Sequence, residues 1–445
     1  MKKDNSSLNF GKKIQLLRLS KGLTQNDLAK VINVSVAYVS RLESGDAKYD
    51  DRMLATIREF YNIEHAPIFD HELEDYRNRL WVWNDIISAD RISDARAMQA
   101  QLSPILELHF ERDLTLLYLL LETRILFKEG NLPAAEESLN TAEALLGEAS
   151  IEALHLYNRN IGFLFFCKQT FKTSLKHFLK SLEYISDNVK SDAGIFLNIG
   201  TAYACIGRPW QAILYLEQAK NKFSIDRTSN LEMAINNVLA TCYTFVGEYD
   251  KAKKLFDISL MQAKRINDEN AIGITLINLG ELYMKSGKLE ASVKAYNDAL
   301  DFLKTREIRD KAQELIHSDK HQQMQALAGK TFVLIRLKDF AQCKEPLGQL
   351  STLAEGNEVF TAITETASHL TTLDDSSSTE YIEEVAIPYF KNNKMYYNGI
   401  YLTLEICDIL ETHYRKRKSV KKALTIAAIS RDIYKEVFCG AADLD

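Results

Sequence analysis

The sequence predicts an all-α protein in two parts, a small helical bundle at the N-terminus and a long array of paired helices behind it. Three observations predict this. Apolar residues recur with a period near 3.6 through almost all of the 445 residues, while strand-like alternation is scarce. Only 6 Pro and 18 Gly interrupt the pattern. Three segments superimpose when the chain is stepped by 40 residues, the mark of a repeat array.

Composition sets the outer bounds. Hydrophobic residues make up 46% and charged residues 26%, ordinary for a soluble globular chain with ample core. No apolar run approaches ~18 residues, so no membrane span is expected, and the basic start MKKDNSSLNF has no apolar stretch behind it. The six cysteines are scattered without a CxxC pair and read as reduced thiols of a cytoplasmic protein. Charge is uneven. Residues 1 to 62 hold 11 Lys/Arg against 7 Asp/Glu, and the remainder 44 against 54. A basic head on an acidic body points to a polyanion partner for the head alone.

The head (1–64) contains LTQNDLAKVINVSVAYVSRLESG, residues 23 to 45. Thr24 can cap a helix over Gln25 to Ile32, with Leu28 and Ile32 apolar and Ala29 small at a helix crossing. Asn33 marks the break, where φ > 0 is favoured and Asn tolerates it. Ser35 can cap a second helix, Val36 to Ser44, with Val39 and Leu42 inward and Gly45 ending it. Phe10, Ile14 and Leu17, then Leu54, Ile57 and Phe60, supply two further apolar faces. This run resembles the Cro/C1 (XRE) helix-turn-helix family over about 55 residues, with Asn33 where the family usually has Gly. The resemblance implies that the second helix enters the major groove. Val36, Ala37 and Arg41 then face bases, with Arg41 the candidate for a bidentate bond to guanine. Thr24, Gln25, Ser35, Tyr38 and Ser40 lie at the DNA backbone or groove edge. Arg18 and Glu43 match an ion pair of the family and are assigned to the fold.

Residues 65 to 112 carry Trp81 and Trp83 and are expected to form helices linking head to body. The repeats follow over 113–440. Tyr203, Tyr243 and Tyr283 coincide, as do Gly207, Gly247 and Gly287, and Ala212, Ala252 and Ser292. Gly162, Phe171 and Ser174 extend the frame backward, and Gly130 and Ala135 extend it further. The pattern looks like tetratricopeptide (TPR) repeats, about seven of them. It implies a right-handed TPR superhelix with a concave groove lined by the first helix of each pair. The acidic stretch 371 to 380, TTLDDSSSTE, reads as a flexible loop.

The groove offers recurring amides: Asn160, Asn198, Asn237 and Asn278. Each carries donor and acceptor groups and can pair with the backbone of an extended peptide. Phe163, Thr201, Thr241, Phe245 and Glu281 stand beside them to read side chains, and Arg124 and Arg159 can meet a carboxylate. Asn at this repeat position also often bonds only a neighbouring helix. Other chemistry is thin. His317 and His321 make half a metal site without a third ligand, and no P-loop, GxSxG or dinucleotide fingerprint occurs. No enzyme activity, cofactor or metal is expected. Cys167 and Cys205 recur near the groove and read as buried packing.

An XRE head on a TPR body resembles the peptide-responsive RNPP (Rap/NprR/PlcR-like) regulators of Gram-positive bacteria. The resemblance implies a cytoplasmic, quorum-sensing transcription regulator. Its partners are double-stranded DNA, a short signalling peptide and a second copy of itself, without a membrane partner. A dimer sets two recognition helices ~34 Å apart. Two alternatives remain open: a body that docks a protein partner such as a response regulator or polymerase subunit, and an adaptor that does not bind DNA.

Overall fold

The computed structural model describes residues 10–63, 66–107, 111–185, 193–226, 229–305, 319–392 and 397–438, and these are helical throughout, with no strand among them. The chain divides into two compact units, Met1–Asn160 and Ile161–Asp445.

The first unit opens with α1 (Phe10–Ser20), α2 (Gln25–Val31), α3 (Val36–Ser44) and α4 (Asp51–Tyr61). Local chemistry sets each boundary. Thr24 and Asp27 form a reciprocal capping box at the start of α2, which satisfies two otherwise orphaned N–H groups. The Asn33 turn has φ 53, and the Ser35 hydroxyl accepts from the Tyr38 N–H to cap α3. Gly45 ends α3 in the left-handed region at φ 87, where a Cβ is strained. Ile14, Leu28, Val39, Leu42 and Ile57 are essentially fully buried between these helices, each stabilising the bundle by roughly 1.5–3 kcal/mol. One expected core residue is corrected: Phe60 is 38% exposed and the neighbouring Tyr61 is buried in its place. At 3.6 residues per turn, Ile57 and Tyr61 share a face that Phe60 just misses.

The core of the head continues past α4 through the buried Ile63, Ala66 and Ile68. It runs into α5 (Asp70–Ser88), α6 (Ile92–Leu102), α7 (Arg112–Lys128), α8 (Leu132–Glu143) and most of α9 (Ile151–Cys167). Trp83 is fully buried and donates to the Ala95 carbonyl at 2.8 Å, which binds α5 to α6. Lys13 of α1 is fully buried as well. Its ammonium meets the Ile68 carbonyl at 2.9 Å, Asp70 at 3.0 Å and Glu111 at 3.7 Å, so the desolvated charge is matched on several sides.

The second unit holds the rest of α9 and then α10 (Phe171–Glu183), α11 (Ala193–Cys205), α12 (Pro209–Asp226), α13 (Ser229–Phe245), α14 (Tyr249–Ile266), α15 (Glu269–Lys285), α16 (Leu289–Thr305), α17 (Asp319–Leu337), α18 (Phe340–Leu353), α19 (Glu358–Leu370), α20 (Ser376–Tyr381), α21 (Ile387–Asn392), α22 (Tyr397–Lys416) and α23 (Val420–Phe438). The hairpins α7/α8, α9/α10, α11/α12, α13/α14, α15/α16, α17/α18 and α22/α23 turn on residues of positive φ, Gly130, Gln169, Gly207, Gly247, Gly287, Lys338 and Lys418 in that order. Small residues recur one turn inside each following helix, and Ala135, Ser174, Ala212, Ala252 and Ser292 are all fully buried. At Gly280 a Cβ would stand 2.7 Å from the Tyr296 ring, so only Gly lets α15 approach α16 this closely. The Ser292 hydroxyl then bonds the Gly280 carbonyl at 2.6 Å.

Residues 371 to 380 are not a loop throughout. A short turn leads to α20, which Asp375 caps, and Ser378 and Thr379 are buried. The Ser378 hydroxyl is matched by His369 at 3.1 Å and Thr372 at 2.9 Å. Local hydrogen bonds thus let a polar segment pack, which composition alone does not show.

Candidate DNA-reading helix and ligand-binding face

Val36, Ala37, Ser40 and Arg41 form one exposed stripe of α3, opposite the buried Val39, Leu42 and Glu43. Short side chains at 36, 37 and 40 leave α3 slim on that side, the shape a major groove admits. The Arg41 guanidinium lies 5.7 Å from the Tyr38 ring centroid, and the Tyr38 hydroxyl donates to the Lys48 carbonyl. The ring thereby braces Arg41 from a fixed position. Ser35 is exposed but uses its hydroxyl as a cap, and Thr24 is tied to Asp27. Gln25 is half-buried, and its amide donates to Glu43 at 2.9 Å, which links it to the Arg18–Glu43 pair. Burial pushes the Glu43 carboxyl up, but hydrogen bonds from Arg18 and Gln25 outweigh it and hold the carboxyl below its usual value.

In the first unit, Asn160 is 2% exposed and donates to the Leu120 carbonyl at 2.7 Å, fastening α9 to α7. Arg124 is buried against Asn84 and Ser88 of α5. These two expectations are corrected: both side chains are withdrawn from solvent and serve packing. Arg159 is half-buried.

In the second unit, α13 and α15 are joined by a ladder of amides. Asn278 donates to the Asn237 side-chain amide oxygen Oδ1 at 2.8 Å, and the Asn237 amide nitrogen donates to the Thr275 hydroxyl at 2.7 Å. Each amide has two N–H donors, so one bond leaves capacity for another partner. Asn198, Phe163, Thr201 and Thr241 are half-buried on α9, α11 and α13. The Thr201 and Thr241 hydroxyls bond their own helices, at Leu197 (2.8 Å) and Asn237 (2.9 Å).

Phe245 and Glu281 meet a neighbour that sequence reasoning missed. The Phe245 ring stacks on Tyr401 of α22, with centroids 3.6 Å apart. Glu405, one turn further along α22, pairs with Lys285 of α15 at 3.4 Å and with Arg336 of α17. Burial, together with the nearby Glu405 charge, raises the Glu281 carboxyl, and Lys285 opposes this only in part. No local signal could have found this group, because its members are far apart in the chain.

His321 is buried edge-on against Phe360, and His317 lies outside the described residues. Burial pushes the Cys167 thiol up to about 11 and the Cys205 thiol to about 12, so neither is a ready nucleophile. Among the described residues no group of three or more His, Cys, Asp or Glu is placed to hold a metal, and no helix is long and apolar enough to cross a membrane.

Head and body define a class: a helix-turn-helix protein fused to stacked TPR hairpins. Residues 14–68 match the helix-turn-helix family, and residues 231–305 match the tetratricopeptide repeat family. The transcriptional activator NprA of Geobacillus stearothermophilus is 20% identical over 419 residues, covering 91% of this chain and 98% of its own. A Rap protein solved in complex with Competence and Sporulation Factor superimposes with a TM-score of 0.67 at 15% identity, over 82% of this chain and 98% of its own. NprR in complex with its cognate peptide NprX gives a TM-score of 0.61 at 20% identity, over 82% and 99%. The chain therefore combines a helix-turn-helix head with a TPR body, and over most of its length it shares the fold of NprR and Rap.

Proposed function

We propose that this protein is a transcription regulator whose head binds duplex DNA and whose repeats bind a short extended peptide, the peptide altering operator binding through the geometry of a homodimer. The observation that carries the reading is the union in one chain of the exposed α3 stripe at Val36, Ala37, Ser40 and Arg41 with a TPR body. The likeness to NprA over 98% of that activator's length supports it. So does NprR, which was solved in complex with its cognate peptide NprX and shares the body's fold. A single head of this size covers only a half-site, which is why a dimer reading an inverted repeat is part of the proposal.

The test is footprinting and light scattering on the full chain. Synthetic peptides are taken from any short open reading frame immediately downstream that encodes a secreted pro-peptide. The expected result is a dimer protecting two half-sites, with protection changed by one such peptide. A monomer protecting a single half-site, indifferent to every peptide, overturns the reading.

A further inference from the structure

The face of α22 that meets the repeats is a narrow stripe. Tyr401, Glu405 and Asp408 recur at i, i+4 and i+7, one side of a helix. The opposite side of α22 is anchored separately, with Ile406, Cys407 and Leu410 fully buried in the main core of the second unit. α22 is thus held on two faces, the stripe and this core-facing side. The stripe touches three different first helices of the repeats. Tyr401 stacks on Phe245 of α13, Glu405 pairs with Lys285 of α15, and Glu405 and Asp408 both pair with Arg336 of α17. Tyr401 and Glu405 are each 5% exposed, so both seats are occupied.

We propose that α22 is an internal competitor for this face, with Tyr401 and Glu405 standing where a bound peptide places an aromatic side chain and a carboxylate. The inference rests on the peptide-binding reading above and specifies both its ligand and its regulation. Side chains four apart on a helix lie about 5–6 Å from each other. An extended chain rises about 3.3 Å per residue, so the same spacing is met by groups two residues apart. The ligand is therefore a peptide with an aromatic residue two positions before a carboxylate, either an acidic side chain or the free C-terminus. The aromatic residue stacks on Phe245, and the carboxylate takes the charge-assisted bonds of Lys285 and Arg336. Asn278 lies two turns before Lys285 on α15, within reach of the peptide's preceding backbone.

A site filled from within shows an apparent affinity reduced by the fraction of time it is open. Weakening the competitor thus strengthens the ligand. The experiment measures retention of three synthetic heptapeptide pools by the full chain, read by filtration and mass spectrometry. The first pool fixes Phe at the fifth position, omits Asp and Glu throughout, and has a free C-terminus. The second is the same pool amidated, and the third is unrestricted. Glu405→Gln, checked by circular dichroism, is expected to retain the first pool at least about five-fold more than wild type and to show no gain for the second. If Glu405→Gln does not fold, Tyr401→Leu is scored in the same way. Equal gains on free and amidated pools, or no gain at all, overturn the proposal. Retention of the unrestricted pool without enrichment of an aromatic residue near a carboxylate overturns it while leaving peptide binding standing. If no pool is retained by any form, both the proposal and the peptide reading fall.

Discussion

Arg18 and Glu43 are joined by two hydrogen bonds, Nε to Oε1 at 2.5 Å and Nη2 to Oε2 at 3.0 Å, with both side chains nearly buried. Arg18 also donates to the Leu23 carbonyl at 2.7 Å, so one guanidinium fastens α1, the start of the motif and the end of α3. The angle at which α3 is presented depends on this pair.

Arg18→Ala is therefore expected to destabilise the head by about 3–5 kcal/mol, because it leaves the Glu43 carboxylate buried without its charge partner. Urea unfolding of the full chain, followed in the head by hydrogen exchange, measures it. A loss below about 1 kcal/mol would show that water or Gln25 replaces the guanidinium.

The same pair predicts a pH dependence. The folded Glu43 carboxyl is held below its ordinary value. Its contribution is therefore fully present above that ordinary value and is lost as pH falls through the lowered folded one. Hydrogen exchange in α3 is expected to quicken over that acid window in wild type. Glu43→Gln should show a flatter profile, and identical profiles would remove Glu43 from the account.

Arg41→Ala is expected to cost ~1–3 kcal/mol on the preferred operator and much less on random duplex. Gel-shift titration at fixed salt decides it. Equal losses on both duplexes would make Arg41 a phosphate contact. Tyr38→Ala should reproduce part of the specificity loss, since it removes the ring that braces Arg41.

The recurring amides separate into structural and available groups, and paired substitutions distinguish them. Asn160→Ala leaves the buried Leu120 carbonyl without its donor and is expected to cost about 1–3 kcal/mol of stability. Asn198→Ala is expected to leave stability within about 0.5 kcal/mol and to weaken peptide binding by ~1 kcal/mol. Calorimetry and urea unfolding on both variants give the comparison. A stability loss at Asn198 equal to that at Asn160 would place all these amides in the fold.

Gly280→Ala is expected to destabilise the second unit by about 1–3 kcal/mol, because the new methyl meets the Tyr296 ring. Chemical denaturation measures it. A neutral result would show that α16 shifts away without loss.

The helix-turn-helix was legible in the sequence because its determinants are local. Thr24, Asn33, Ser35 and Gly45 each act on their own turn of chain, and the structure shows each in that act. The repeats were legible because the buried small residues recur at a fixed step, as at Ala212, Ala252 and Ser292. Partnership was not legible. Arg124 looked like a charge free to meet a ligand, and only the fold brings Asn84 and Ser88 to it. The stack of Phe245 on Tyr401 joins helices far apart in the chain, where no periodicity connects the two residues.

That stack alters how the repeats share their stability. An array in which each hairpin touches only its neighbours melts piecemeal, and its free energy is close to a sum over adjacent pairs. A tie from α22 back to α13, reinforced by Glu405 on α15 and α17, closes such a chain of pairs into a ring. A ring has no free end within the tied segment from which to fray. The intervening hairpins should then open together or not at all, and clipping the chain before α22 should quicken amide exchange in α13 as well as in the hairpins beside the cut.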